Sequence, residues 1–167
     1  MSTQHKIFHD RPALAELRGR WRAEGKRVVF TNGVFDLFHP GHLDSLRQAR
    51  ALGQALVVAT NTDESVRRLK GPERPILPLD QRLRILASFD CVDAATPFDE
   101  DTPEALLELL RPDVLVKGGH YRIDQIVGHE KVFGWGGKVV AVPLLPGFST
   151  TSLIDAMRRG GKPAAAR

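Results

Sequence analysis

The sequence predicts a doubly wound α/β fold, because strand-like and helix-like segments alternate along the chain. Five short apolar runs recur, and each is continuous and Val- or Ala-rich rather than alternating, which is typical of strands buried on both faces of a parallel sheet. Amphipathic helical patterns lie between these runs. The expected architecture is a Rossmann-like sheet of about five parallel strands with helices on both faces.

The five predicted strands are bounded by Gly, Pro, Asn or Asp, which interrupt extended structure. In chain order they are RVVFTN (27–32), ALVVATN (55–61), CVDAATP (91–97), DVLVKGG (113–119) and KVVAVPL (138–144). The third run makes Cys91 the first residue of a buried strand, where we expect it to serve packing.

Start and stop signals define the helices between these strands. An amphipathic segment at 11–24 is expected to pack on the outside before the first strand. The segment at 62–71 carries acids early and bases late, as the helix dipole favours. In the segment at 79–89, Asp80 is the predicted N-cap. The remaining helical patterns are 42–53, 101–112, 151–159 and a glycine-interrupted one at 123–137.

Length and composition indicate one domain, residues 1–157, followed by a basic Gly/Pro/Ala-rich tail at 158–167 that we expect to be flexible. Apolar residues make up 42% and charged residues 26%, which is ordinary for a globular protein. The net charge of +4 is spread along the chain without a basic block or interleaved aromatic residues. We therefore expect no nucleic-acid partner.

The single cysteine, Cys91, excludes an intrachain disulfide and a CxxC metal site, as is usual in a reducing cytoplasm. The opening residues, MSTQHKIFHDRP, lack the apolar core of a signal peptide, and no apolar run is long enough to span a bilayer. We expect a cytoplasmic protein with no membrane partner.

Ligands of such sheets bind beyond the carboxyl ends of the strands, so the segments that follow the strands are the informative ones. These segments are rich in Gly, hydroxyl and basic residues; the first carries two histidines, and we identify no paired catalytic carboxylates in any of them. This favours phosphate chemistry over peptide or glycoside cleavage. The segments are GVFDLFHPGH, NTDESVRRLKGPER, KGGHY and PGFSTTS.

His39 and His42 stand three residues apart, where a strand passes into a helix. Both imidazoles then project from one side of the helix N-terminus, where backbone N–H groups attract anions. Such a pocket could hold a polyphosphate and stabilise charge that develops on it. The alternative is a pair of structural histidines that cap the turn. A zinc site is disfavoured, because no cysteine or third ligand accompanies the pair.

Hydroxyl and cationic residues add further phosphate ligands. The run STTS (149–152) opens the last helical pattern with more hydroxyls than one N-cap needs. Lys70 and Arg74 lie on a Gly- and Pro-bearing segment that could fold over a nucleotide; a solvated loop is the alternative. Lys117 ends an apolar strand just before two glycines, with a snorkelling side chain as the alternative. Asp36 either hydrogen-bonds the turn or faces a second substrate.

The segments FTNGVFDLFHPGH and FSTTSLI resemble the HxGH nucleotidyltransferases of the cytidylyltransferase-like superfamily. The order of TNGVFD, HPGH, NTDESVRRLKGPERP, PLDQR, LLRPDVLVKGGHY and GGKVVAVPLLPGFSTT is similar to the adenylyltransferase domain of bacterial ADP-heptose synthases. The resemblance covers roughly residues 25–157. In many bacteria that domain is fused behind a sugar kinase; here it would stand alone.

The resemblance implies that AMP is transferred from ATP to a sugar 1-phosphate, D-glycero-D-manno-heptose 1-phosphate, giving ADP-heptose and pyrophosphate. Mg²⁺ would travel with ATP, and no protein metal ligand is expected. The implied catalytic residues are His39, His42, Lys70 and Lys117. The implied nucleotide-binding residues are Thr31, Asn32, Gly33, Phe35, Gly41, Asn61, Arg74, Gly118, Ser149, Thr150 and Thr151. The implied sugar-phosphate side is formed by Asp36, Lys117 and His120.

Two departures from related patterns bear on the substrate. Leu144, Leu145 and Pro146 precede Gly147, where the glycerol-phosphate branch carries Arg-Thr-Glu-Gly, which argues against a CTP-using glycerol-phosphate enzyme. His120 stands where the heptose proteins usually have Asp. The alternatives are a CTP-dependent cytidylyltransferase acting on glycerol phosphate or another small phosphate, and a non-catalytic nucleotide-binding module. The family also implies a homodimer.

Overall fold

The computed structural model describes residues 3–160 and contains one five-stranded sheet in the order β3-β2-β1-β4-β5. Every strand pair in it is parallel. The strands are β1 Val28–Gly33, β2 Ala55–Asn61, β3 Ala94–Phe98, β4 Val114–Gly118 and β5 Lys138–Val142. The predicted doubly wound α/β fold is confirmed. The strand order reverses between β1 and β4, which is where such sheets open a ligand crevice.

In the described part of the chain, seven α-helices connect or flank these strands. They are α1 Arg11–Ala23, α2 Pro40–Arg50, α3 Asp63–Lys70, α4 Leu79–Ser88, α5 Glu104–Leu110, α6 His129–Gly134 and α7 Thr150–Arg158. Short 3-10 helices lie at Gln4–Lys6 and Ile123–Gln125. The predicted flexible tail at 158–167 falls mostly outside the described residues, although Arg158 itself ends α7. Within residues 3–160 no helix is long and apolar enough to cross a membrane.

The helices cover both faces of the sheet, and the buried strand residues alternate between two apolar cores. One face packs against α1, α5 and α6, with Leu14 and Trp21 of α1 in its core. The other packs against α2 and α4 through residues such as Leu46 and Leu83. The continuous apolar strand patterns follow from burial on both sides.

Three local predictions are wrong. The pattern at 123–137 is not one helix, because Gly128 lies at a φ of 86° and separates a 3-10 turn from α6. Cys91 does not begin a strand: its amide donates to Asp90 Oδ1 at 2.8 Å in a turn, and β3 begins only at Ala94. Asp80 is not an N-cap, since its carboxylate instead pairs with Arg84 one turn later.

The segment before α1 was not predicted to have structure. Ile7 forms a parallel bridge with Ala95, and the Phe8 amide donates to the Ala95 carbonyl at 2.9 Å. This segment lies along β3 and so covers part of a sheet edge.

Candidate active site

The turn after β1 presents the first elements of the site. Phe35 adopts a left-handed conformation with a φ of 46°, which costs about 1–3 kcal/mol for a residue other than glycine. Its ring lies parallel to that of Phe38, with centroids 5.9 Å apart, and is tilted against His42. A Cβ on Gly33 would lie 3.1 Å from the Phe35 ring, so the glycine lets the ring fold back over the strand end. This strained turn leads directly into α2.

His39 and His42 form a stacked pair at the start of α2. Their ring centroids are 3.7 Å apart, with 21° between the planes. His39 occupies the N-cap position but makes no side-chain capping bond, which removes the capping alternative for this residue. The Nδ1 atoms of both rings are buried and find no hydrogen-bond partner among residues 3–160. Buried polar atoms without partners are uncommon, and here they belong to the two groups assigned to phosphate.

Burial lowers the pKa of both imidazoles, that of His42 to about 4, with His39 adding a smaller effect in the same direction. Both rings are therefore neutral near pH 7. A neutral imidazole donates one hydrogen bond and accepts another. Each neutral ring therefore still has one N–H group that can donate a hydrogen bond to a phosphate oxygen.

Phe148 extends this aromatic stack and was missed in the sequence. Its ring lies parallel to that of His39, with centroids 6.2 Å apart and 18° between planes. On the other side, Phe38 contacts both His42 and Phe89. The position of Phe148 directly before the Ser-Thr-Thr run was the available signal. Its ring helps fix the orientation of His39.

Two adjoining cavities open at the carboxyl ends of β1 and β4. Cavity A, of about 290 Å³, is bordered largely by apolar and glycine residues. It is lined by Thr31, Asn32, Gly33, Val34, Phe35, His39, Gly41, His42, Ser45, Leu46, Val116, Lys117, Gly118, Val142, Leu144, Phe148, Ser149 and Thr150. A Cβ on Gly41 would lie 3.1 Å from the His39 ring, and one on Gly118 would lie 3.1 Å from Leu144. Glycine at both positions therefore keeps this cavity open.

Cavity B, of about 540 Å³, is richer in polar and cationic groups. It is lined by Asn32, Gly33, Val34, Phe35, Asp36, His42, Asn61, Leu69, Lys70, Arg74, Asp101, Thr102, Pro103, Lys117, Tyr121, Gln125, Ile126, Val127, Thr150 and Thr151. Its border with cavity A includes His42, Lys117 and Thr150. A group placed at that border touches both cavities.

Lys117 lies at this border, at the end of β4. Its ammonium donates to the Asn32 carbonyl across the β1–β4 gap at 3.3 Å. Burial lowers the pKa of Lys117, and the charge of Lys70 lowers it further. The snorkelling alternative requires the amine to reach bulk solvent, and the buried Lys117 amine does not do so. Two cations, Lys70 and Lys117, therefore lie close together at the cleft.

The carboxylate of Asp36 holds the loop between α3 and α4. It is fully enclosed and accepts hydrogen bonds from Arg74 Nε at 2.6 Å and from the Ile76 and Leu77 amides at 2.9 Å each. Of the two alternatives for Asp36, the structure favours bonding to the turn and its neighbouring loop. Arg74 is tied to this carboxylate and borders cavity B.

Arg82 is a positioning residue that sequence reasoning missed. Its side chain on α4 is fully buried. The guanidinium donates to the Leu77 and Val34 carbonyls, to Thr60 Oγ1 and to Asp63 Oδ1, at distances of 2.7 to 3.0 Å. These bonds tie the ends of β1 and β2 to α3 and to the loop. A charged residue inside an apolar helical pattern was the only sequence signal.

The Ser-Thr-Thr run begins α7 beside the histidines. Ser149 is the N-cap, and its Oγ accepts from the Ser152 amide at 3.0 Å. Ser149 alone therefore caps the N-terminus of α7. Thr150 donates to the Leu37 carbonyl at 3.4 Å and borders both cavities, while Thr151 lines cavity B. Two threonine hydroxyls thus lie at the cleft in addition to the capping serine.

The structure gathers all but one of the predicted site residues around these cavities. Three residues predicted on the nucleotide side line cavity B rather than cavity A: Asn61, Arg74 and Thr151. His120 is exposed and lines neither cavity. The described chain, residues 3–160, contains no group of three or more His, Cys, Asp or Glu residues that could hold a metal ion.

Solved structures share this fold. A lipopolysaccharide core biosynthesis protein from Thermoplasma volcanium aligns with a TM-score of 0.60 and 29% identity, covering 72% of this chain and 97% of that one. Pantoate-β-alanine ligase from Francisella tularensis aligns with a TM-score of 0.58 over 91% of this chain and 76% of that one. At 16% identity, this second likeness shows the fold alone.

Sequence comparison identifies the family. The Cytidylyltransferase-like family model matches residues 30–156. The chain is 53% identical over 152 residues to Bifunctional protein HldE of Halorhodospira halophila, covering 91% of this chain and 32% of that protein. It is 54% identical to HldE of Koribacter versatilis, covering 87% and 30% respectively. The chain thus spans about a third of the length of these relatives. With the HxGH pair stacked at the crevice, these matches show that the chain belongs to the cytidylyltransferase-like family and is a nucleotidyltransferase.

Proposed function

We propose that the chain transfers AMP from ATP to D-glycero-D-manno-heptose 1-phosphate and releases pyrophosphate. The observation that carries this proposal is the border between the two cavities, where His42, Lys117 and Thr150 lie together. The order of motifs from TNGVFD to FSTT supports the heptose assignment. The identity to the HldE relatives, and the likeness to a lipopolysaccharide core biosynthesis protein, support the same substrate class.

Cavity A suits the nucleoside of ATP. Apolar side chains of Leu46, Val116 and Val142 border it, and the glycines let the backbone approach a flat base. The choice of adenine over cytosine rests on the motif order. The triphosphate then extends past the histidines toward the threonines that begin α7.

The reaction joins the two substrates at the border of the cavities. An oxygen of the sugar phosphate attacks the α-phosphorus of ATP and forms the new P–O bond. The bond from the α-phosphorus to the bridging oxygen breaks, and pyrophosphate leaves with the electron pair. Such transfer depends on positioning and on charge stabilisation. His39 and His42 donate hydrogen bonds to the phosphate oxygens, while Lys117 supplies positive charge beside the reacting phosphorus.

Mg²⁺ enters this proposal as part of the ATP substrate, because magnesium is usually held by substrate phosphates and one or two carboxylates rather than by an all-protein cage. We also propose a cytoplasmic location, where ATP is supplied, and a homodimeric assembly. The location rests on the need for ATP and on the single cysteine, and the homodimer rests on the family resemblance. Size-exclusion chromatography with light scattering measures the second directly.

Pyrophosphate release tests the function. Purified protein with Mg²⁺ is given ATP or CTP, each with D-glycero-D-manno-heptose 1-phosphate or glycerol 3-phosphate. Release with ATP and the heptose phosphate alone is the expected result. A preference for CTP with glycerol 3-phosphate would identify the cytidylyltransferase alternative. No release with any pair, from folded protein that binds nucleotide, would favour the non-catalytic module.

A further inference from the structure

Four residues that border cavity B have no role in the proposed transfer reaction. Tyr121 and Gln125 border the cavity, as do the exposed apolar side chains of Leu69 and Val127. These residues come from the segment after β4 and from the end of α3. Cavity B therefore combines an aromatic face, an amide and apolar surface.

The position of the Tyr121 ring depends on Gly119. It lies against Gly119, whose φ of 135° is accessible chiefly to glycine. A Cβ at this position would lie 2.6 Å from Tyr121 Cε2, so any side chain there would displace the ring. The ring remains partly exposed on the side of the cavity. It thus offers an oriented aromatic face, onto which the C–H groups of a sugar ring can pack.

Gln125 offers an uncommitted donor beside this ring. Its Oε1 accepts from the Arg122 amide at 3.1 Å, which fixes the orientation of the side chain. Its Nε2 group makes no hydrogen bond with any residue in 3–160. The amide therefore presents two N–H donors that a substrate hydroxyl can accept.

Cavity B is also bordered by cationic side chains. Lys70, Arg74 and Lys117 border it, and the charge of Lys70 acts on the Lys117 ammonium. Cations together with an aromatic ring and a free amide in one cavity match a ligand that carries both a phosphate and a hydroxylated ring.

We propose that cavity B is the acceptor pocket and that it selects a phosphorylated pyranose. The cations bind the phosphate, the Tyr121 ring packs against a face of the sugar, and Gln125 Nε2 donates to a sugar hydroxyl. This inference rests on the proposed function and replaces His120 with Tyr121 and Gln125 as sugar contacts, because His120 lines neither cavity.

Three substitutions test the sugar contacts. Tyr121→Leu removes the aromatic face, Tyr121→Phe keeps the face but removes the hydroxyl, and Gln125→Glu keeps the Oε1 acceptor while removing the amide donors. We expect Tyr121→Leu and Gln125→Glu to raise the KM for the heptose phosphate about tenfold each, as losing one good contact does. The KM for ATP should change less than about twofold, and Tyr121→Phe should stay near wild type.

Phe133→Ala is the matched control, because Phe133 is a half-exposed aromatic residue on α6 that lines neither cavity. Thermal melting of each variant checks folding. Unchanged KM values for the heptose phosphate in Tyr121→Leu and Gln125→Glu would overturn the inference, as would a tenfold increase in His120→Ala alone.

The outcomes separate this inference from the proposed function. If the wild-type protein releases no pyrophosphate with any pair, the proposed function fails. Calorimetric titration of heptose 1-phosphate into wild type and Tyr121→Leu then tests whether cavity B binds the sugar phosphate through Tyr121. Weaker binding by the variant supports the inference, whereas equal binding, or none to either protein, overturns it. Transfer to glycerol 3-phosphate that does not depend on Tyr121 also overturns it, since glycerol has no ring.

Discussion

Asp36 and Arg74 form an ion pair of 2.6 Å in which the carboxylate is fully enclosed and the guanidinium largely buried. The same carboxylate accepts the Ile76 and Leu77 amides, so it determines the path of the loop that follows Lys70. A single acid placed three residues before the HPGH sequence therefore connects the turn after β1 to the loop that borders cavity B.

Asp36→Ala should reduce the free energy of unfolding by about 3 kcal/mol, because it leaves a buried guanidinium and two amides without their acceptor. Urea denaturation measures this loss. Asp80→Ala is the control, since it breaks an exposed pair with Arg84 and should have a much smaller effect. Equal losses in the two variants would contradict the role given to Asp36.

The His42 imidazole should make stability depend on pH. Its pKa falls from an ordinary value of 6.5 to about 4 in the folded protein, so on acidification the unfolded chain binds a proton that the folded chain does not. The stability contributed by neutral His42 is complete above about pH 6.5 and is lost as the pH falls toward 4. Urea denaturation at several pH values should show a steeper acid decline in wild type than in His42→Gln. Parallel declines would rule out this effect.

His39→Ala should lower kcat by roughly 10² to 10³, the usual effect of removing one donor to developing negative charge. The Kd for ATP should change less, because the apolar contacts of cavity A remain. Steady-state kinetics and calorimetry measure the two quantities. His9→Ala is the matched control, since this exposed histidine lines neither cavity. A large loss of ATP affinity with unchanged kcat would instead indicate a binding role.

Lys117→Met should reduce kcat by about 10² and should also change the alkaline limb of the pH–rate profile. Burial and Lys70 lower the pKa of the Lys117 ammonium, so its charge is lost at a lower pH than that of an ordinary lysine. Wild-type activity should therefore decline on the alkaline side before pH 10.5, and the variant should lack that limb. An identical alkaline limb in the variant would exclude Lys117 as its cause.

Arg82→Lys should destabilise the protein by about 3 kcal/mol despite keeping the charge. An ammonium cannot reproduce the guanidinium bonds to Val34, Thr60 and Asp63 at the same time. Urea denaturation measures the stability of the variant, and pyrophosphate release measures its activity. Wild-type stability in this variant would show that the four bonds are not needed to hold the strand ends together.

Much of the fold was predictable because its signals are local. Val-rich runs without alternation identified β1, β2, β4 and β5 to within two residues at either end, since a strand covered on both faces needs apolar residues on both sides. The third strand was placed too early, because an apolar Cys-Val pair continues the pattern into a turn that the Asp90 side chain closes. Short-range patterns do not show where such a turn ends.

The sequence by itself determined the doubly wound α/β architecture and predicted phosphate chemistry for the HPGH pair, for Lys70 and Lys117 and for the Ser-Thr-Thr run, since hydrophobic period and residue type are local properties. Only the tertiary structure decided that Asp36 holds a loop, that Arg82 joins four segments, that Phe148 stacks on His39 and that His120 lines neither cavity. Those contacts join residues far apart in the chain, and the packing of helices on both faces of the sheet brings them together. The imidazoles owe their lowered pKa to the same packing, because burial of a histidine depends on its neighbours in space.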